Sequence, residues 1–273
     1  MTIRQAIQKA QKNLPQDEDA HFDALCLAEE AFGLDKTQLR LQAELQIDPA
    51  CYFNLIKRRA AGEPLQYILG EWEFYSLRFA VGPGVLIPRP ETEMLVELAI
   101  VFLNDCGRQV AAPTVIDLCA GTGCVGLSIA HHCPGTQVHL IELSGQAMPY
   151  LQQNAVKYPN AHVCHADIFH GQFSALSPQL ILANPPYIPT GEIPQLSREV
   201  RQEPKLALDG GADGLDFYRG IARTWLPRLC EGGMLAAECG EGQAERVAGL
   251  WGAYKTEILF DFNGIQRIVV ARA

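Results

Sequence analysis

Along the chain the spacing of apolar residues changes character twice. In the first sixty or so residues it is helical. Phe22, Leu25, Leu27, Ala28, Ala31 and Phe32 recur at spacings of three and four, and Gly33 ends the run. A further helix is expected from Asp48 as its N-cap, with Pro49 in the first helical position, to Gly62 ahead of Pro64. Over 66–87 the pattern turns to alternation. Glu71-Trp72-Glu73-Phe74-Tyr75 and Leu77-Arg78-Phe79-Ala80-Val81 flank Ser76, and Gly82-Pro83-Gly84 follows, which predicts a hairpin between two domains. After Arg89-Pro90 a helix over 91–104 leads into short apolar runs at 114–118, 137–141, 162–165, 180–183, 234–238, 255–260 and 267–271. Helical or crossover-length segments join the first four, so they predict a mostly parallel sheet with helices on both faces. The last two are joined by Asp261-Phe262-Asn263-Gly264, a link short enough for an antiparallel hairpin. The expected organisation is a helical domain over 1–65, a β-hairpin linker over 66–88 and an α/β domain over 89–273.

Composition narrows the class. With 273 residues, 48% hydrophobic and 19% charged, the chain can bury a large core, in one large domain or a core domain plus a small one. The net charge of −9 argues against non-specific binding to nucleic-acid phosphates. The first twenty residues hold no apolar run of the secretory type. Glycines, Pro134, His131 and His132 interrupt the longest uncharged stretch, which therefore does not read as a membrane span. The nine cysteines show no C-x-x-C spacing. Cys124 and Cys133 flank the two histidines, but buried thiols in a reducing cytoplasm are the favoured reading over zinc. Lys57, Arg58 and Arg59 read first as cations complementing a helix C-terminus, and second as a docking patch for an acidic partner.

Two places carry chemistry. After the strand Val115-Ile116-Asp117-Leu118 comes the turn Cys119-Ala120-Gly121-Thr122-Gly123, then a helix over 124–131; Gly121, Gly123 and Gly126 satisfy G-x-G-x-x-G. Such a turn lets backbone N–H groups approach a ligand. Glu142 ends the second strand, 21 residues after Gly121, where a carboxylate can accept from both hydroxyls of a ribose. Asp167 and Ile168 end the third, placed to meet an adenine edge and face. The fingerprint alone does not separate NAD from S-adenosylmethionine.

The fourth strand, Leu180-Ile181-Leu182-Ala183, runs straight into Asn184-Pro185-Pro186-Tyr187. In an open parallel sheet this is where ligands bind. The prolines fix the backbone and remove two donors. The Asn184 side-chain oxygen and the Pro185 carbonyl can then each accept one hydrogen of an –NH2 group, and Tyr187 offers a flat wall to a planar amide or base.

With these residues in view, the chain resembles the HemK/PrmC family of S-adenosylmethionine-dependent protein-glutamine methyltransferases. The resemblance spans essentially the whole chain. It takes in Gly62-Glu63-Pro64-Leu65-Gln66-Tyr67-Ile68, Gly70, Leu86-Ile87-Pro88-Arg89-Pro90-Glu91-Thr92-Glu93, the glycine loop, Asn184-Pro185-Pro186-Tyr187-Ile188, Glu203-Pro204, Asp213-Gly214-Leu215 and 261–267. Asn-Pro-Pro-Tyr is shared with adenine-amino DNA methyltransferases; the Pro-Arg-Pro-Glu-Thr-Glu segment is more diagnostic. The resemblance implies a Rossmann-like methyltransferase fold, with a seven-stranded, mostly parallel sheet ending in an antiparallel hairpin. It implies methylation of the glutamine side-chain amide in the Gly-Gly-Gln motif of class-1 peptide release factors. Cys119, Ala120, Gly121, Thr122, Gly123, Glu142, Asp167, Ile168 and Asn184 are the expected cofactor residues. Asn184, Pro185, Pro186 and Tyr187 are expected to hold substrate, with Asn184 and Pro185 catalytic. Cys119, Ala120, Glu142 and Ile168 depart from the commoner family pattern.

A metal-free, in-line transfer by a cytoplasmic monomer is expected, with no nucleic-acid or membrane partner. Arg201 and Glu203 read as exposed loop charges, or alternatively as a cover over the substrate. Four rival readings share parts of this pattern. A methyltransferase for a ribosomal-protein glutamine shares all the core motifs. An adenine-amino DNA methyltransferase is disfavoured by the charge, an NAD dehydrogenase leaves Asn184–Tyr187 idle, and a non-catalytic docking protein would not need the cofactor.

Overall fold

The computed structural model describes residues 1–15, 19–106, 110–170, 173 and 176–273. It divides into two units, one of residues 1–71 with 197–202, the other of 72–196 with 203–273.

The first unit is helical: α1 (Ile3–Asn13), α2 (Ala20–Phe32), α3 (Lys36–Leu41), α4 (Ala50–Ala60) and α5 (Leu65–Leu69). Capping boxes start α1 (Thr2 with Gln5) and α3 (Asp35 with Gln38), satisfying amides the helix itself leaves free. Gly33 ends α2 in the left-handed region, as its place after Phe32 predicts. At α4 the boundary differs from the expectation. Asp48 accepts from the amide of Ala50 at 3.0 Å, so Pro49 is the cap residue and the helix begins one residue later. The stretch expected to open the hairpin instead forms α5, five residues ended by Gly70. So short a helix shows no period that a sequence pattern could reveal.

Two of the three cations at the end of α4, Arg58 and Arg59, are engaged within this unit. Arg59 is buried and donates to Asp23, also buried, and to Glu199, each at 2.5 Å. Arg58 forms a two-pronged pair with Glu63 at 2.6 and 2.8 Å. The Gln202 side chain donates to the Gly62 carbonyl at 2.5 Å. Residues 197–202 are thus tied to the helices by charged and polar bonds.

The second unit begins at Trp72, one residue into the hairpin of β1 (Glu71–Phe74) and β2 (Leu77–Ala80). Tyr75 and Ser76 both have positive φ, the two-residue turn that matches strand twist. Then come α6 (Glu93–Cys106), β3 (Thr114–Leu118), α7 (Cys124–His132), β4 (Gln137–Glu142), α8 (Met148–Ala155), β5 (Ala161–His165), β6 (Leu180–Ala183), α9 (Asp216–Thr224), β7 (Met234–Glu238), α10 (Ala244–Leu250), β8 (Lys255–Phe260) and β9 (Gln266–Arg272). The seven expected strands are all present. Their order is β5-β4-β3-β6-β7-β9-β8, parallel up to β7, with β9 antiparallel to both neighbours.

Alternation along the strands feeds two cores. Val115, Val138, Leu140, Leu180 and Leu182 pack on one face with Leu95 and Leu127. Ile116, Leu118, Ile141 and Ile181 pack on the other with Trp225 and Trp251. Gly126 serves the first face. A Cβ there would meet the Leu140 side chain at 2.8 Å and the Asp117 carboxylate at 2.9 Å, so only glycine lets α7 lie this close to the sheet. Among the described residues no helix is long and apolar enough to cross a membrane.

Candidate active site

Because β3 pairs with β4 on one side and β6 on the other, the chain reverses its winding between β3 and β6, and a crevice opens at their C-terminal ends. A mostly apolar cavity lies there. Cys119, Ala120, Gly121, Thr122, Glu142, Asp167, Ile168, Asn184 and Pro186 all line it. Pro185 is buried and Tyr187 half-buried, both outside the lining. Gly123 stands behind it as the cap of α7, where a Cβ would press on Leu127 and Leu151.

The glycine loop is held by Glu142. One carboxylate oxygen accepts from the Gly121 amide at 2.7 Å, the other from the Ser144 amide at 2.6 Å. Each oxygen keeps a lone pair for a ligand hydroxyl. Asn154 of α8 braces the loop from behind, donating to the Thr122 carbonyl at 3.0 Å and bonding the backbone of Ala80 in β2. Cys119 has φ 60, a left-handed conformation that L residues adopt at a cost. Asp167 accepts from the Phe169 amide at 2.8 Å and pairs with His170; these bonds hold its carboxyl below the usual range.

Sequence reasoning gave no role to three groups in this unit and read a fourth, Glu203, as an exposed loop charge or a cover over the substrate. Asp117, at the base of the cavity, accepts from the Gly126 amide at 2.9 Å, and burial, with Glu142 nearby, lifts its carboxyl to about 7. Phe169 and Phe217, with ring centres 5.5 Å apart, close one wall. Glu203 is not an exposed loop charge. It is buried, accepting from the Ile87 amide at 3.0 Å and from the Arg89 guanidinium, and so pins the Pro-Arg-Pro-Glu segment. Arg201 is exposed. Thr92, which also lines the cavity, and Glu238 complete a buried polar chain with Asn184. The Asn184 side-chain N–H donates to the Thr92 hydroxyl at 3.0 Å, which donates to Glu238 at 2.5 Å. Tyr187 donates to the other Glu238 oxygen at 3.4 Å.

The Tyr187 backbone is packed closely by neighbouring loops. Gln243 donates to its carbonyl at 2.8 Å, and a Cβ on Gly214, in its left-handed conformation, would collide with the same oxygen. Asn184 Oδ1 and the Pro185 carbonyl accept no hydrogen bond among the described residues. Asn184 lines the cavity and Pro185 follows it outside the lining, so two unclaimed acceptors stand in succession at the end of β6.

A sheet of this order, with a glycine loop after its first strand and an Asn-Pro-Pro-Tyr turn after its fourth, defines a methyltransferase-fold protein. The solved structures agree on the fold. The hMettl16 catalytic domain matches with a TM-score of 0.56 at 13% identity, over 80% of this chain and 81% of that one. A methyltransferase from Pyrococcus furiosus matches with a TM-score of 0.51 at 13% identity, over 73% and 90%. Residues 5–70 match the PrmC N-terminal domain and residues 98–207 the methyltransferase small domain. The chain is 39% identical to a release factor glutamine methyltransferase of Moorella thermoacetica, across 99% of this chain and 98% of that protein. It is 41% identical to one of Geobacter sulfurreducens, across 93% and 90%. The chain belongs to the release factor glutamine methyltransferase family.

Proposed function

We propose that this protein methylates the side-chain amide nitrogen of the glutamine in the Gly-Gly-Gln motif of class-1 release factors, with S-adenosylmethionine as donor. The observation that carries this reading is the pair of unclaimed acceptors, Asn184 Oδ1 and the Pro185 carbonyl, at the edge of the cavity in a chain that aligns end to end with relatives of that name.

The donor set fits the cofactor. Three carboxylates, Asp117, Glu142 and Asp167, and one cation, Arg89, line a mostly apolar cavity, an acidic balance that suits a cationic molecule bearing ribose hydroxyls. Glu142 would hold the ribose, and Ile168, with the Phe169–Phe217 pair, would pack the adenine. When bound, the cofactor supplies an electrophilic methyl group on a sulfonium. What remains for the protein is orientation and electrostatics. An amide lone pair is delocalised into its carbonyl. Asn184 and Pro185, accepting the two amide hydrogens, raise electron density on the nitrogen and stabilise the positive charge that develops there. The surplus proton leaves to water after transfer. The proposed division of labour places substrate docking in residues 1–65, the linker in 66–88 and chemistry in 89–273.

The test is methyl transfer from labelled S-adenosylmethionine to intact release factors, with the modified residue mapped. Label on the Gly-Gly-Gln glutamine is expected. Label confined to a ribosomal-protein glutamine would replace the substrate while keeping the chemistry.

A further inference from the structure

Asn184 can favour the reaction only if its amide is turned the right way, with oxygen toward the substrate and –NH2 away. Nothing in Asn-Pro-Pro-Tyr decides this, since the two ends of the amide are nearly the same size. Thr92 and Glu238 do. Glu238 ends β7, alongside Asn184, because Ala183 and Ala237 are register partners on adjacent strands. Thr92 reaches the pair from the turn before α6. Both are about 2% exposed, so water does not compete for their hydrogen bonds.

A carboxylate can only accept. Thr92 must therefore give its single hydroxyl hydrogen to Glu238. Its oxygen is then left to accept, and the Asn184 group facing it must be the –NH2. We infer that Thr92 and Glu238 are positioning residues, forming a relay whose direction, set by the ionised Glu238 carboxylate, turns the Asn184 oxygen to the substrate amide. The inference rests on the proposed function.

The relay has a second state. A proton on Glu238 lets that carboxyl donate to Thr92. The hydroxyl hydrogen is then free to point at Asn184, whose oxygen turns to receive it. The –NH2 now faces the substrate –NH2, donor against donor, and the nucleophile is no longer held. Several groups face Glu238. Thr92 and Glu91 come from the turn before α6, Tyr187 from the loop after β6, Arg267 from β9, and Cys239 is its own neighbour. Tyr218 of α9 donates to its backbone carbonyl at 2.7 Å. Burial lifts the carboxyl to about 7 and Glu91 adds to the rise, against the Thr92 and Tyr187 hydrogen bonds and the Arg267 charge. The two states thus exchange near neutrality.

The experiment measures kcat on intact release factor between pH 5.5 and 8.5, with both substrates saturating, for the parent, Thr92→Val, Thr92→Ser and Glu238→Gln. Cofactor Kd and melting temperature are taken for each. The parent kcat is expected to fall up to about tenfold per pH unit below pH ~7. Glu238→Gln, whose carbonyl oxygen accepts from Thr92 at every pH, should lose that acid limb. Thr92→Val should lower kcat about 10- to 100-fold, the range for removing an orienting partner, with cofactor Kd unchanged. Thr92→Ser should recover most of the loss. A parent-like kcat in Thr92→Val, or the same acid limb in Glu238→Gln, overturns the relay. If Thr92→Val does not fold, the pH profile of Glu238→Gln decides alone. A parent that methylates no Gly-Gly-Gln glutamine brings down the functional reading, and the relay with it.

Discussion

Single side chains in the cavity have separable jobs, and each can be read by a different measurement. Glu142→Ala takes the acceptor from the proposed ribose site and is expected to weaken S-adenosylmethionine binding by about 1–3 kcal/mol; unchanged affinity by calorimetry would remove Glu142 from the cofactor site. Asp117 binds a proton until about pH 7 because it is buried. A cationic ligand beside it favours the charged form. Binding near pH 6.5 should therefore release a proton, and affinity should rise with pH until about 7. Calorimetry in buffers of different ionisation enthalpy reports that proton, and Asp117→Asn should abolish it. Asn184→Ala should cost on the order of 10²–10³ in kcat, by analogy with loss of one preorganised hydrogen-bonding group at a reacting centre, with cofactor binding retained. Asn184→Asp keeps one acceptor but sets a second carboxylate around the lone Thr92 hydrogen, so its rate should fall between Ala and the parent. Methylation by Asn184→Ala at the parent rate would sink the mechanism.

Among the elements, α4 is most exposed to a single change. Burial already raises the Asp23 carboxyl against the pull of Arg59, so Arg59→Ala would leave a buried acid without its partner, a defect worth up to about 3–5 kcal/mol. A denaturant midpoint that hardly moves would show that Asp23 finds another partner or a proton. Element by element, the strands were the most legible part of the chain. The buried run Leu180–Ala183 is bounded by residues that cannot continue it, Pro185 and Pro186. The glycine loop and Asn184 were legible for the same reason, since a local pattern carries them. What escaped was non-local or very short. Glu203 looks like any loop charge until the fold brings it to the Ile87 amide, 116 positions away in sequence. Thr92 and Glu238 are 146 positions apart, one in the turn before α6 and the other at the end of β7, and only the fold brings them together. Helix α5 has five residues and no periodicity to show.

At the scale of the whole molecule, the proposed division into docking and chemistry predicts what deletion does. A chain lacking residues 1–65 should keep its affinity for S-adenosylmethionine and lose turnover on intact release factor through a raised KM. An equal KM with and without the segment would reduce the helices to a structural role. The same deletion strips Glu199 and Gln202 of Arg59 and Gly62, so trypsin should cut faster after Arg198 or Arg201. The borrowed segment also sets a timetable. Arg59 meets Asp23 after 36 further residues have been made, but its second partner, Glu199, lies 140 residues downstream. At synthesis rates of about 5–20 residues per second, that is a delay of roughly 7–28 s. Throughout it a growing chain on the ribosome carries its helices with one carboxylate partner of Arg59 still unmade. The first unit to emerge is therefore among the last to be completed.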